Sequence, residues 1–326
     1  MELVLNTFGT YLTKDNDCFV VLHKDGKQRV HPDGLKSISI SKGAQISSDA
    51  AILAIEHEIE VLFVDQSGKP VGRLWSHKYG SVSTIRRGQL DFTFSKEAVK
   101  WIIATIVQKL ENQQALILSL TTSDDRLEQI VRKSVARIED YRQKITQLDG
   151  EVIPDIAATL RGWEGAASRV YFGCLNEFLP VNYKLEGRQQ HPATDLTNCL
   201  LNYAYGVLYG KIEGTLIKAG IDPYVGIFHR DDYNRPVLVF DVIELYRVWA
   251  DYVVLSLAIQ EAVNEDCFSI RDDGSYWLES LGKRILIQSL NDYFDEVITV
   301  KGTQRSRSYQ MTIYAQDLAQ TFKNFI

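Results

Sequence analysis

His229 is the histidine whose surroundings could put an imidazole to work. It ends the segment Gly220-Ile221-Asp222-Pro223-Tyr224-Val225-Gly226-Ile227-Phe228-His229, where two glycines and a proline deliver the ring at the end of an apolar run. Twelve and fifteen residues later come Asp241 and Glu244, within Phe240-Asp241-Val242-Ile243-Glu244-Leu245-Tyr246-Arg247. That i, i+3 spacing puts both carboxylates on one face of a helix start. Each is embedded among apolar residues, where a lone charge is costly, so each needs a basic side chain or a metal ion. A plainer arrangement is equally open, with Asp241 capping the helix and Glu244 pairing with Arg247 at the surface. A third acid, Glu164, lies in Leu160-Arg161-Gly162-Trp163-Glu164-Gly165-Ala166-Ala167. Gly165, Ala166, Ala167 and Ser168 make a helix flank thin enough to press that glutamate into a helix bundle. Two or three carboxylates with one imidazole form a hard, oxygen-rich donor set, which suits Mg²⁺ or Mn²⁺ better than zinc.

The other histidines offer less. His57 sits in the charged stretch Glu56-His57-Glu58-Ile59-Glu60 and reads as solvated surface. His23, His31 and His77 flank turn signals without a carboxylate at ligand spacing, and His191 precedes Pro192 ahead of a helix cap. Cys18, Cys174, Cys199 and Cys267 are far apart with no C-x-x-C pair, which excludes a disulfide framework or a cysteine zinc site and points to a reducing cytoplasm. There is no Ser-His-Asp constellation, phosphate-binding loop or dinucleotide fingerprint. The longest purely apolar run, Ala50 to Ile55, is far short of the roughly 18 residues that span a bilayer, so no membrane segment is expected. The N-terminus carries no export signal.

With 36 Lys and Arg against 42 Asp and Glu, the formal charge is -6, so a nucleic acid would have to be held by local basic patches. The stretch from Arg126 to Lys144 carries six basic and three acidic residues, and Lys301 to Arg307 carries three basic and none acidic. The first also reads as an ordinary solvated helix face. The second reads as a flexible loop whose Arg305 and Arg307 suit a phosphate backbone. Arg161, Arg169 and Arg188 lie beside the candidate ligands in sequence and are further DNA-contact candidates.

The elements that must position these residues form an α+β chain, a small N-terminal β-sheet domain (1–85) followed by a larger all-helical domain (86–326). Early runs such as Leu3–Phe8, Cys18–Leu22, Val61–Asp65 and Val71–Trp75 are short, β-prone and cut by turn signals at Lys24–Lys27 and Gln66–Pro70. Ser47-Ser48-Asp49 offers an N-cap for one helix inside this domain. Residues 1–95 hold 11 basic and 11 acidic residues, so the net charge lies beyond them. From Ser95 the apolar spacing turns helical: Lys96–Leu120, Asp124–Leu148, Ile153–Leu160 with Gly162–Phe178, Thr194–Ala219, Phe240–Ala262, Leu278–Phe294 and Ser308–Phe325.

Taken in order, Leu160 to Ala167, Pro192-Ala193-Thr194-Asp195-Leu196-Thr197-Asn198-Cys199-Leu200-Leu201-Asn202-Tyr203-Ala204-Tyr205, Gly220 to His229, and Asp241-Val242-Ile243-Glu244-Leu245-Tyr246-Arg247 resemble the motifs of the CRISPR-associated integrase family, protein one of the spacer-acquisition machinery. The resemblance extends to Arg86-Arg87-Gly88-Gln89, Lys109-Leu110-Glu111-Asn112-Gln113, Ser47-Ser48-Asp49 and Gly68, and so covers nearly the whole chain. It implies a metal-dependent DNA integrase and endonuclease. The metal ligands would be Glu164, His229 and Glu244 holding Mg²⁺ or Mn²⁺, with Asp241 a further catalytic acid beside them. Tyr209 matches a tyrosine near the family's site, although an aromatic at helical spacing equally suits the core. The implied partners are captured double-stranded or forked DNA, the CRISPR repeat, a second copy of the chain joined through the β domain, and a small ferredoxin-like companion protein. A general metal-dependent nuclease of repair or defence, and a non-catalytic nucleic-acid scaffold, are the alternatives.

Overall fold

The computed structural model describes residues 2–24, 26–35, 37–65, 70–74, 83–120, 122–189, 192–229, 235–300 and 302–325. Gly68, His77, His191 and Lys301 lie outside the described residues. The chain divides into two compact units, residues 1–80 and 81–326.

The first unit opens with β1 (Glu2–Leu5), β2 (Tyr11–Asp15), β3 (Cys18–His23), β4 (Gly26–Val30), β5 (Ser37–Ser41) and β6 (Gln45–Ile46). It continues with α1 (Ser48–Glu56), β7 (Glu60–Val64) and β8 (Pro70–Arg73). One sheet runs β1-β5-β7-β8, with β5 parallel to both neighbours and β8 antiparallel; the other runs β4-β3-β2-β6. The β3–β4 and β7–β8 pairings are those the turn signals predict. The parallel pairings were not legible, because parallel partners are distant in sequence and leave no local turn signature. Leu5, Leu12, Phe19, Ile38, Ile40, Leu53 and Val61 bring both sheets and α1 into one core. Ser47 caps α1 by accepting from the Ala50 amide at 3.1 Å.

The second unit starts with α2 (Ser83–Phe92), α3 (Lys96–Ser119), α4 (Asp125–Thr146), α5 (Ile153–Phe178) and α6 (Leu196–Lys218). A domain boundary at residue 85 would cut α2, which belongs here: Phe92 packs edge-on against Phe322 and Phe325 at 5.3 and 5.2 Å between ring centres. After α6 come α7 (Val237–Ile243), α8 (Arg247–Ile259), β9 (Phe268–Ile270), β10 (Tyr276–Leu278), α9 (Ser280–Asp295), β11 (Val297–Val300), β12 (Thr303–Ser306) and α10 (Arg307–Lys323). Two two-stranded ribbons, β9–β10 and β11–β12, therefore stand among the helices that periodicity predicts. The expected loop from Lys301 to Arg307 is mostly the second ribbon, turned at Gly302 with φ +76°, and Arg307 opens α10.

The single helix expected over Phe240–Ala262 is broken. α7 stops at Ile243, the chain turns through Glu244-Leu245-Tyr246, and α8 begins at Arg247. Asn112 on α3 donates to the Leu245 carbonyl at 3.0 Å, satisfying an acceptor released by the break.

Candidate active site

The break brings together what the linear spacing only suggested. α7 packs on α3 and α6, and α5 packs on α3, so residues from α3, α5, α7 and the turn after it converge. Lys109, on the buried face of α3, lies between two carboxylates: its Nζ is 2.5 Å from Glu164 Oε1 and 2.6 Å from Glu244 Oε2. Arg247 Nε donates to Glu244 Oε1 at 2.7 Å. Glu244 is 6% exposed, so its pairing with Arg247 is a core ion pair and not the surface pair of the plainer reading. The Lys109 ammonium meets the other oxygen of the same carboxylate, Oε2, as an ion pair at 2.6 Å.

Burial alone would favour neutral forms here. For Lys109 the charges of Glu244 and Glu164 outweigh it and raise the pKa, and for Glu244 Arg247 and Lys109 outweigh it and lower the pKa. Both groups stay charged, and each depends on the other.

His229 is held from below. Asp241, fully buried within α7, accepts from the amides of Ile227 (2.8 Å), Phe228 (3.0 Å) and His229 (3.1 Å), and its Oδ1 lies 2.6 Å from His229 Nδ1. Asp241 therefore lies inside α7 and not at its cap, and it organises the loop that presents the histidine. With Nδ1 engaged as donor, Nε2 is the nitrogen left with a lone pair. Burial pushes the His229 pKa down, but the hydrogen bond to Asp241 and the charges of Asp241, Glu244 and Glu164 push it up further, so it is raised.

Gln89 from α2, fully buried, templates the same loop. Its Oε1 accepts from the Asp222 amide at 3.0 Å and its Nε2 donates to the carbonyls of Asp222 and Val225 at 2.7 and 3.0 Å. Gly226 is required by close approach: an added Cβ would lie 2.2 Å from the His229 carbonyl oxygen and 2.7 Å from Val237 Cγ2. Gly226→Ala is therefore expected to cost about 2 kcal/mol or more and to displace His229. Chemical denaturation together with the imidazole resonances of His229 checks both effects.

Of the flank Gly165-Ala166-Ala167-Ser168 expected to press Glu164 into the bundle, Ala167 is fully buried, while Glu164 itself stays about one-fifth exposed. A Cβ at Gly162 would meet nothing within 4 Å and one at Gly165 only Arg169 Nη1 at 3.9 Å, so they leave α5 open beside Glu164. Among the described residues, no three His, Cys, Asp or Glu side chains converge in a cage that could hold a metal ion. The ammonium of Lys109 is what joins the two glutamates. The donors themselves still fit a hard divalent ion: two carboxylates that already share one cation, Lys109, and an imidazole whose other nitrogen is locked by an acid.

Beneath Arg247 lies a buried polar network. Asp251 accepts from the hydroxyls of Tyr171 (2.9 Å) and Tyr205 (2.5 Å), and the guanidiniums of Arg247 and Arg188 lie 4.8 and 5.1 Å from the centre of the Tyr205 ring. Burial raises the Asp251 pKa from 3.8 to about 6 against the opposing hydrogen bonds and arginines. The folded chain thus holds this proton more tightly than the unfolded one, so stability from this group is full below pH 4 and is lost as pH rises to about 6. Asp251→Asn is expected to flatten that part of the stability profile, as measured by denaturant midpoints between pH 4 and 7.

The DNA-contact candidates separate by their surroundings. Arg161 and Arg169 are exposed, and Arg161 stacks 4.7 Å from the Phe228 ring centre, next to His229. Arg188 donates to Asn198 Oδ1 at 2.9 Å and Asn202 Oδ1 at 2.7 Å, which orders its segment. Tyr209 donates to the Pro236 carbonyl at 3.1 Å and packs on Phe240, which in turn faces His229. Arg305 is exposed near Tyr309, whereas Arg307 is 13% exposed, ion-paired to Glu296 and stacked 3.7 Å from the Tyr293 ring centre. On α4, Arg126, Arg132 and Arg142 are paired with Glu177, Glu128 and Glu139.

Lys109, Asn112 and Gln89 lie in segments that the resemblance covers, but their roles come from the fold. The available signal was the register of α3, where Lys109 and Gln113 fall on the stripe of Ile102, Ile106, Leu110 and Ile117. A lysine on an apolar stripe needs a buried acid.

The fold and site define a two-unit protein whose helical part carries a carboxylate and imidazole centre suited to phosphate-ester chemistry. The sequence pattern of the family described as CRISPR associated protein Cas1 matches residues 3–292. A CRISPR-associated endonuclease Cas1 from Archaeoglobus fulgidus is 30% identical over 98% of this chain and 95% of its own length. Two solved structures share the fold. A casposase bound to integration product has a TM-score of 0.83 at 20% identity, covering 99% of this chain and 90% of that one. A Cas6-RT-Cas1–Cas2 complex has a TM-score of 0.80 at 21% identity, covering 99% of this chain and 35% of that longer one. The chain belongs to the CRISPR-associated Cas1 family. Among the described residues, no helix is long and apolar enough to cross a membrane.

Proposed function

We propose that this protein is the metal-dependent DNA integrase and endonuclease of CRISPR adaptation, joining the 3′-hydroxyl ends of short captured DNA to the CRISPR repeat in the cytoplasm. The observation that carries the reading is the convergence of Glu164 and Glu244 on Lys109 beside a histidine locked by Asp241, in a chain of this family. Glu164, Glu244 and His229 through Nε2 would hold Mg²⁺ or Mn²⁺. When bound, the ion supplies Lewis-acid stabilisation of the charge that develops on the phosphate.

The chain's own residues do the rest. Asp241 fixes the orientation of His229, Arg247 holds Glu244 against desolvation, and Gln89 and Gly226 set the loop. In each joining event the 3′-oxygen of the captured strand forms a bond to phosphorus, and the bond from phosphorus to the 3′-oxygen of the repeat strand breaks. The attacking hydroxyl gives up its proton and the released 3′-oxygen takes one, so no covalent enzyme intermediate is required. A labelled short duplex incubated with repeat-containing DNA tests this: branched, joined products support integration, whereas shortened strands alone support a general nuclease.

Two such events on opposite strands call for two sites, so we assign a homodimer through the β domain, working with a small ferredoxin-like companion. β1, β8, β4 and β6 end the two sheets and offer edges for pairing. A monomeric mass by light scattering at micromolar concentration contradicts this. For the duplex itself, exposed Arg161, Arg169 and Arg305 are the phosphate contacts the geometry favours, with Tyr209 behind the His229 loop. Arg305→Glu is expected to lower affinity and the salt slope by about one phosphate contact. Arg307→Glu is expected instead to lower stability, because it would set a glutamate against Glu296. Titrations at several salt concentrations, alongside melting curves, separate the two arginines.

A further inference from the structure

Lys109 occupies the space between the two glutamates that the metal reading needs. Its side chain is 8% exposed, and its ammonium touches both carboxylates, Glu164 Oε1 at 2.5 Å and Glu244 Oε2 at 2.6 Å. A divalent ion bridging Glu164 and Glu244 cannot share that position with an ammonium. Two cations pressed against the same pair of oxygens in a buried site would repel each other strongly. Without a cation between them, the two carboxylates would face each other with Arg247 on the far oxygen of Glu244 as the remaining pair of that carboxylate. The lysine stem is flexible, so its ammonium can leave while its Cα stays anchored on α3.

We propose that Lys109 is a resident counter-cation, holding Glu164 and Glu244 together in the metal-free protein and exchanging with the divalent ion when the site loads. This rests on the metal reading above. Lys109 then makes the empty site stable and its loading selective, because only an ion whose attraction for both carboxylates exceeds that of the ammonium displaces it. A released ammonium remains at the site as a mobile positive charge beside a bound phosphodiester.

Mn²⁺ binding to the DNA-free full-length chain tests this, followed by the electron paramagnetic resonance signal of free Mn²⁺. Lys109→Met, or Lys109→Gln if the former folds poorly, is expected to bind Mn²⁺ about tenfold more tightly than the parent. Both variants are expected to melt lower than the parent in EDTA and to gain more from Mn²⁺. In the unaltered protein, Mn²⁺ is expected to increase several-fold the acetylation of Lys109 by acetic anhydride, read by peptide mass spectrometry. Equal Mn²⁺ affinity in parent and Lys109 variants, with Glu164→Ala losing binding, overturns the exchange and leaves the metal site standing. So does acetylation of Lys109 that Mn²⁺ leaves unchanged. Mn²⁺ binding that is absent throughout, or indifferent to Glu164→Ala, overturns both.

Discussion

Glu164→Ala is expected to abolish strand joining, by on the order of a thousandfold, while the chain stays folded. The two halves of that statement come from one geometry. Glu164 is about one-fifth exposed and its ion partner Lys109 keeps Glu244, so its loss leaves no buried cation stranded. The phosphate-activating centre nevertheless loses a carboxylate it cannot replace. Glu244 behaves differently. It is buried against both Lys109 and Arg247, and Glu244→Ala takes away the carboxylate paired with Arg247 and leaves Lys109 with Glu164, which costs about 3–5 kcal/mol. Loss of joining in that variant therefore mixes chemistry with unfolding, and Glu244→Gln, which retains the volume, is the cleaner comparison. Single-turnover joining measured beside a melting curve decides the matter. Near-parental joining by Glu164→Ala, at matched protein and metal concentrations, would show that Glu164 takes no part in the site.

Asp241→Asn is expected to damage the protein nearly as much as His229→Ala. The carboxylate accepts from three backbone amides and from His229 Nδ1. An amide in its place offers one acceptor oxygen and turns an NH₂ toward donors, so at least one buried donor is left unsatisfied and the imidazole loses its orienting charge. The cost is about 3 kcal/mol, equivalent to roughly 6–12 °C for a unit of this size. Joining should fall with it, because the His229 ring loses the carboxylate at Nδ1 that fixes its orientation. Calorimetry and the pH dependence of joining report the two effects. A variant that melts with the parent and joins at the parental rate would mean that the loop is fixed by Gln89 and Gly226 alone.

Residue type and local spacing already determined much of this protein. Apolar period separated a β domain from a helical one, Ser47 marked a helix start, and the glycines and proline before His229 marked a loop that presents it. Motif order singled out Glu164, His229, Asp241 and Glu244 as candidates. These features are local or ordered along the chain, and a linear reading can reach them. What tertiary structure alone decided was which charge meets which. Lys109 sits 55 residues from Glu164 and 135 from Glu244, so only the packing of α3 against α5 and α7 could place its ammonium between them. The helix break at Glu244–Tyr246 is served by a donor from Asn112, 133 residues away, and the Asp241 carboxylate collects three amides of the His229 loop. Charges buried in a core take their partners from whatever element the fold brings alongside, and sequence distance carries no trace of that choice.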